Sequence, residues 1–201
     1  MDTAILKIAA EICHIGELIY DKGMIAGTEG NISCRLSNSD ILITPAGVCK
    51  GMMKPDDLVI LTPRGRVRGK GRRQSTESRL HLAGYAANSG FQAAVHVHSR
   101  YATSFATAGI PLEGGTLPEF THTFGQIPLI PYARPGSAAL AKMFASVVDH
   151  GHTFLLERHG LLAFGSDLRE AYYRAEMAEQ CAAILWLSHQ LVDIGGGVRA
   201  R

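Results

Sequence analysis

The sequence predicts an α/β fold in which helices cover a central sheet that is mainly antiparallel or mixed. Three observations predict it. Apolar residues recur at helical spacing in long segments near both ends, and short runs with a period of two lie between them. The early runs are joined by tight turns, not by the helical crossovers of regular βαβ units. At 201 residues the chain suits one domain, residues 1–201, with a full-sized core.

The first helix is expected over residues 3–22, where Ile5, Ile8, Ile12, Ile15 and Ile19 form one stripe and Gly23 is a suitable terminator. Strands follow at 32–36 and 41–44, with Asn38, Ser39 and Asp40 turning the chain between them. Pro45-Ala46-Gly47 ends the second strand, and Lys54-Pro55-Asp56-Asp57 turns into a short run at 58–61. Ser75 or Thr76 is placed to cap a helix over about 77–88. The run Ala93 to His98 reads as a strand, followed by a helix at 101–108 that Gly109 ends. After a loop at 111–123 comes a strand at 127–131, which its prolines confine to an edge. A helix from Pro135-Gly136-Ser137 to about 148, strands at 153–156 and 161–164, and a long helix at 168–191 complete the reading.

Composition narrows the function. A formal net charge of +2 is too small to argue for nucleic acid or an anionic membrane surface. The basic stretch Arg64, Arg66, Arg68, Lys70, Arg72 and Arg73 lacks aromatic platforms and reads as a solvated hairpin or loop. No run reaches the roughly 18 to 20 apolar residues of a membrane span, and residues 1–10 do not resemble a signal peptide. Cys13, Cys34, Cys49 and Cys181 are scattered, with neither zinc-knuckle nor disulfide-scaffold spacing, so a reduced cytoplasm is the expected setting.

His96 and His98 alternate along the strand, so both imidazoles leave one face, on a stiff mounting suited to a first-row divalent metal. Two histidines compete for the third position. His159 follows a strand and precedes Gly160, which permits a sharp turn there; His81 lies one helical turn beyond Glu77. Glu77, at a helix start where the dipole favours an anion, is the acid or base candidate. The turns Gly30-Asn31, Ala46-Gly47 and Ser75-Thr76 offer free N–H groups and short polar side chains that can enclose a phosphate. Their glycines match neither a P-loop nor a dinucleotide fingerprint, so no nucleotide is implied.

In order along the chain, these residues resemble the class II aldolase and adducin family, especially its short bacterial phosphoketose aldolases. Gly27-Thr28-x-Gly30-Asn31-x-Ser33 and Ile43-Thr44-Pro45-Ala46-Gly47 resemble its phosphate loops, and Ser75-Thr76-Glu77 stands where it has Ser-Ser-Glu. His96-x-His98 and Leu156-x-x-His159-Gly160 resemble the two halves of its zinc site. The resemblance implies one Zn²⁺ per chain on His96, His98 and His159. It implies that Glu77 takes an additional metal position without substrate and exchanges a proton with it present. Asn31, Thr44, Gly47, Ser75 and Thr76 would surround a phosphate, with Gly30 and Ala46 shaping the loops. The implied enzyme is a cytoplasmic C4 homotetramer with active sites at subunit contacts. Its reaction is retro-aldol cleavage of a phosphorylated sugar, of the fuculose 1-phosphate or 5-deoxyribulose 1-phosphate type, to dihydroxyacetone phosphate and an aldehyde. The alternatives on the same scaffold are decarboxylation of a 3-oxo-tetronate 4-phosphate, or an epimerase or dehydratase reaction. A non-catalytic adducin-like module would not need this complete set of histidines with Glu77. One departure bears on the substrate. The aldolases place a neighbouring subunit's tyrosine near the loop that here runs from Pro111 to Phe124, which has no tyrosine and offers Glu113, Glu119 and His122. The C-terminal end likewise lacks a terminal aromatic residue.

Overall fold

In the computed structural model, which describes residues 2–69, 71–113 and 117–195, strand β4 (Ala93–Val97) lies at the centre of a seven-stranded sheet. Its sequence explains the position. Every residue of β4 is buried, as a strand covered on both faces requires. Ala93, Val95 and Val97 pack into one apolar core with α1 (Thr3–Asp21), α3 (Arg100–Ala108) and α6 (Leu168–Gly195). Ala94 packs into a second core with α2 (Ser78–Ala87) and α5 (Ala138–Ala145) on the opposite face. The period of two therefore places His96 on the α2 side.

The remaining strands are β1 (Asn31–Arg35), β2 (Ile41–Ile43), β3 (Val59–Leu61), β7 (Leu129–Ile130), β8 (Thr153–Leu156) and β9 (Gly160–Gly165), in the order β3-β2-β1-β4-β9-β8-β7. All pairings are antiparallel except β7 with β8, which is parallel. The expected helix-covered mixed sheet is the observed one. Prolines at 128 and 131 bracket β7, which sits at the sheet edge as its missing N–H donors demand.

Four local expectations differ from the structure. The single strand expected at 127–131 divides at Pro128, residues 126–127 joining a separate two-stranded sheet and 129–130 forming β7 of the main one. The stretch 111–123 is not a plain loop: β5 (Leu112–Glu113) pairs with β6 (Gln126–Ile127), and α4 (Pro118–Phe124) lies between them. Pro118 occupies the first turn of α4 and Gly125 closes it at φ 61°, the usual asymmetry of helix ends. Neither Ser75 nor Thr76 caps α2, since Glu77 holds the N-cap position and the Ser75 hydroxyl accepts from the Glu77 N–H at 3.2 Å. Helix α5 ends at Ala145, short of 148.

Of the basic stretch, expected as a solvated hairpin or loop, the start turns back through a bridge between Leu61 and Val67, and Arg68 and Arg72 pair with Asp40 and Asp57. Lys70 of that stretch and tail residues 196–201 lie outside the described residues. No helix among the described residues is long and apolar enough to cross a membrane.

Candidate active site

Two strand ends and one helix start converge beside β4. His96 stands within the strand, and His98 follows its last residue. His159 comes from the turn between β8 and β9, in which Arg158 adopts φ 57° and the His159 N–H returns to the Leu156 carbonyl. Gly160 is needed there for space and not, as the sequence suggested, for a sharp turn. A Cβ would lie 2.5 Å from the Val97 carbonyl oxygen and 2.8 Å from the His98 ring. Glu77, 8% exposed, enters from the N-terminus of α2.

The donor atoms converge closely. His96 Nε2 lies 3.1 Å from His98 Nε2 and 3.3 Å from His159 Nε2. Glu77 Oε2 is 3.2 Å from His96 Nε2, and Glu77 Oε1 is 2.8 Å from His159 Nε2. Ligands of a tetrahedral zinc at about 2.0–2.1 Å stand about 3.3 Å apart. Nitrogens facing one another at that spacing, with a carboxylate completing the group, fit a divalent metal in size and in chemistry. These four residues form the His and carboxylate cluster that could hold a metal ion among the described residues.

The surroundings fix the orientation of each donor. His96 Nδ1 donates to the Leu161 carbonyl at 2.8 Å, leaving Nε2 free to face the cluster. His98 Nδ1 lies 3.5 Å from Glu29 Oε2. The Asn31 amide donates to Glu77 Oε2 at 2.7 Å, and Asn31 sits directly across the ladder from His96. Burial opposes ionisation of Glu77, but the His96 and His159 imidazoles outweigh it and hold the carboxyl well below the usual carboxylate range. Burial also opposes charge on His96, yet Glu77 and the Leu161 carbonyl raise its pKa overall. His98 is pushed down to about 4 by burial and by the neighbouring His96 and His159.

His81 is not in the cluster. Its Nδ1 bonds the Ser33 hydroxyl at 2.7 Å beneath the sheet face, and that hydroxyl also meets the Tyr85 phenol at 2.7 Å. Burial lowers its pKa to about 3, so it folds neutral. The unfolded chain protonates near the ordinary value of 6.5, so between about pH 6.5 and 3 the unfolded state binds more protons. Stability from this residue is then complete above pH 6.5 and is lost as the pH falls. His81→Gln should flatten the decline in unfolding free energy between pH 6.5 and 5 by up to about 1.4 kcal/mol per pH unit, measured by denaturant titration of chelator-treated protein.

The three turns are drawn together. Pro45 and Gln74 form an isolated bridge, and the Ala46 N–H donates to the Arg73 carbonyl at 2.9 Å, which sets the Ala46-Gly47 turn beside Ser75-Thr76. Gly30 and Gly47 have φ of 68° and 70°. At Gly30 a Cβ would meet Ile25 Cγ2 at 2.7 Å and the His96 carbonyl oxygen at 2.8 Å, so the first turn requires glycine. Thr76, Ala46 and Gly47 are exposed, whereas Thr44 turns its hydroxyl inward to accept from the Ile32 N–H at 3.2 Å. Beside Ser75 and Thr76 a cleft of about 440 Å³ also carries Arg73, Arg79 and Arg134. Sequence reasoning missed Glu29 and the Leu161 carbonyl. The first stood at an unassigned position of the first turn, and the second is backbone.

The chain belongs to the class II aldolase and adducin N-terminal domain family, whose model matches residues 10–186. It is 36% identical over 186 residues to the 3-oxo-tetronate 4-phosphate decarboxylase of Cupriavidus necator, covering 90% of this chain and 84% of that one. It is 33% identical over 182 residues to the L-fuculose phosphate aldolase of Methanococcus maripaludis, covering 90% and 96%. The crystal structure of L-fuculose-1-phosphate aldolase from Thermus thermophilus superposes with a TM-score of 0.83 at 29% identity, over 96% of this chain and 98% of that one.

Proposed function

We propose that this chain is a zinc-dependent carbon–carbon lyase that releases dihydroxyacetone phosphate from a phosphorylated ketone, by decarboxylation of a 3-oxo-tetronate 4-phosphate. What supports this reading is the 36% identity over 186 residues to a 3-oxo-tetronate 4-phosphate decarboxylase, together with a cluster that, among the described residues, holds one carboxyl group. The other carboxylate in contact with it, Glu29, meets His98 at the ring nitrogen remote from the cluster. Decarboxylation asks for one proton, delivered to the carbon that loses carbon dioxide. Retro-aldol cleavage asks for a second group to take the proton of the departing hydroxyl. The sequence motifs by themselves place retro-aldol cleavage of a ketose 1-phosphate first. That is the second reading, favoured by the 33% identity to a fuculose phosphate aldolase.

The two reactions share their central chemistry. In each substrate the phosphate lies on one side of the ketone and the bond to be broken on the other. Zinc held by His96, His98 and His159 would supply Lewis-acid polarisation of the ketone and stabilise the negative charge developed on bond cleavage. The turns at Gly30-Asn31, Thr44 to Gly47 and Ser75-Thr76 would hold the phosphate and so fix the reacting carbon beside Glu77. Glu77, an anion in the cluster, would take up a solvent proton as negative charge develops and pass it to that carbon, with the Asn31 amide setting the direction of its carboxyl group. Copies of the chain would associate as a homotetramer with sites at their contacts, a reading supported by exposed Tyr173, Trp186, Leu187 and Leu191 on α6.

A substrate panel tests the reading. Carbon dioxide and dihydroxyacetone phosphate in equal amounts from a 3-oxo-tetronate 4-phosphate are expected. Aldehyde with dihydroxyacetone phosphate from a ketose 1-phosphate, and no carbon dioxide from the keto acid, would replace it with the second reading. No turnover of either class by zinc-loaded protein would overturn both.

A further inference from the structure

Lys50 is 2% exposed, an uncommon setting for a lysine, and it makes no ion pair among the described residues. Its ammonium donates to the Thr28 carbonyl at 2.7 Å and to the Val48 carbonyl at 2.9 Å. Thr28 lies two residues before the Gly30-Asn31 turn and Val48 directly follows the Ala46-Gly47 turn, so one buried cation ties the flanks of both together. Helix α1 closes over it from behind: a Cβ at Gly16 would lie 2.6 Å from the Lys50 carbonyl oxygen. On the outer side of the turns, a Cβ built at Gly27 or at Gly47 meets nothing within 4 Å. The Gly47 N–H there has no partner among the described residues.

A buried ammonium with only two neutral acceptors is costly, because desolvation of the charge is not repaid by an anion. An ammonium has three donors, and two are used here. The burial lowers the pKa of Lys50, and the Cys49 and Glu77 charges act against that change. An anion on the open side of the two turns would balance that charge.

We propose that Lys50 is the fixed cation of the substrate site, clamping the Thr28 and Val48 turns and supplying the positive charge that a phosphate dianion meets between them. The inference rests on the phosphorylated-substrate reading above and adds to it a residue that sequence spacing does not reveal. The cation is pre-oriented by its two carbonyl contacts, so phosphate binding orders no further side chain there. The exposed Arg73, Arg79 and Arg134, in contrast, form a cleft open to solvent.

Calorimetric titration with inorganic phosphate of zinc-loaded wild type and Lys50→Met is the test, with zinc content and melting temperature recorded for both. Lys50→Met should bind phosphate at least about tenfold more weakly, as the loss of a charge-assisted contact implies, with zinc unchanged. Equal phosphate affinity in the two proteins overturns the inference, whether or not the melting temperature falls, and reduces Lys50 to a structural clamp. A wild type that does not bind phosphate at millimolar concentration overturns the phosphorylated-substrate reading itself. If Lys50→Met does not fold, wild type labelled at lysine ¹³Cε gives the answer. Among the chain's six lysines, the one titrating lowest should shift upward on saturation with phosphate, and an unmoved titration overturns the inference.

Discussion

Replacing Glu77 with glutamine lowers kcat by on the order of 10²- to 10⁴-fold while the fold and the metal content persist. Glutamine keeps the shape of the side chain and can still meet the Asn31 amide, which now donates to Glu77 Oε2 at 2.7 Å. What it lacks is a titratable oxygen to pass a proton to carbon. A purely structural Glu77 would behave otherwise. It makes no side-chain cap to α2, so as a helix-start carboxylate its loss would cost at most about 1 kcal/mol and leave kcat nearly intact. Steady-state kinetics of zinc-loaded Glu77→Gln separates the two. A kcat within a few fold of wild type would remove Glu77 from proton transfer and turn attention to Glu29, which already touches His98.

Replacing His159 with alanine abolishes stoichiometric zinc binding and, with it, activity. Three imidazole nitrogens and one carboxylate lie within 4.8 Å of one another, and His159 is the member supplied by the β8–β9 turn, away from the end of β4 and the start of α2. Without it, His96 and His98 remain with only the Glu77 carboxylate, a set that has lost one imidazole and whose oxygen ligand is also the proton-transfer group, so zinc is held far more weakly. Elemental analysis should give about one zinc per wild-type chain and far less for the variant. The fold should survive, since the β8–β9 turn is held by backbone bonds from Arg158 to Ala106 and from His159 to Leu156. Undiminished zinc in His159→Ala would mean that the ion sits elsewhere.

The legible parts of this molecule are those in which side-chain periodicity meets burial. The alternation in Ala93 to His98 announces both the strand and the face from which His96 projects, and the stripe from Ile5 to Ile19 announces α1. His159 is legible as a histidine at a strand end. Contacts made by backbone, or at positions with no residue-type signal, were not legible. The Leu161 carbonyl that orients His96 could have been any residue's, and Glu29 occupies an open position between Thr28 and Gly30. Asn31 was read as a phosphate contact from its motif, and that motif does not announce the bond from its amide to Glu77. Lys50 follows a turn, where lysines are ordinarily solvated, and only the packing of α1 reveals its burial. The signals for α4 were present in Pro118 and Gly125, but seven residues carry too short an apolar stripe to stand out.

The claim at the centre of this account is that a metal at the histidine cluster and Glu77 act together on the carbon beside the ketone of dihydroxyacetone phosphate, the product common to both reactions. The most direct measurement is proton NMR of dihydroxyacetone phosphate alone, incubated with zinc-loaded enzyme in deuterated water. Neither carbon dioxide nor an aldehyde is needed for that exchange. Wild type should replace one of the two C3 hydrogens stereospecifically, and zinc-loaded Glu77→Gln should exchange it at least about 10²-fold more slowly. Exchange by Glu77→Gln at the wild-type rate, or no exchange by wild type, would contradict the account.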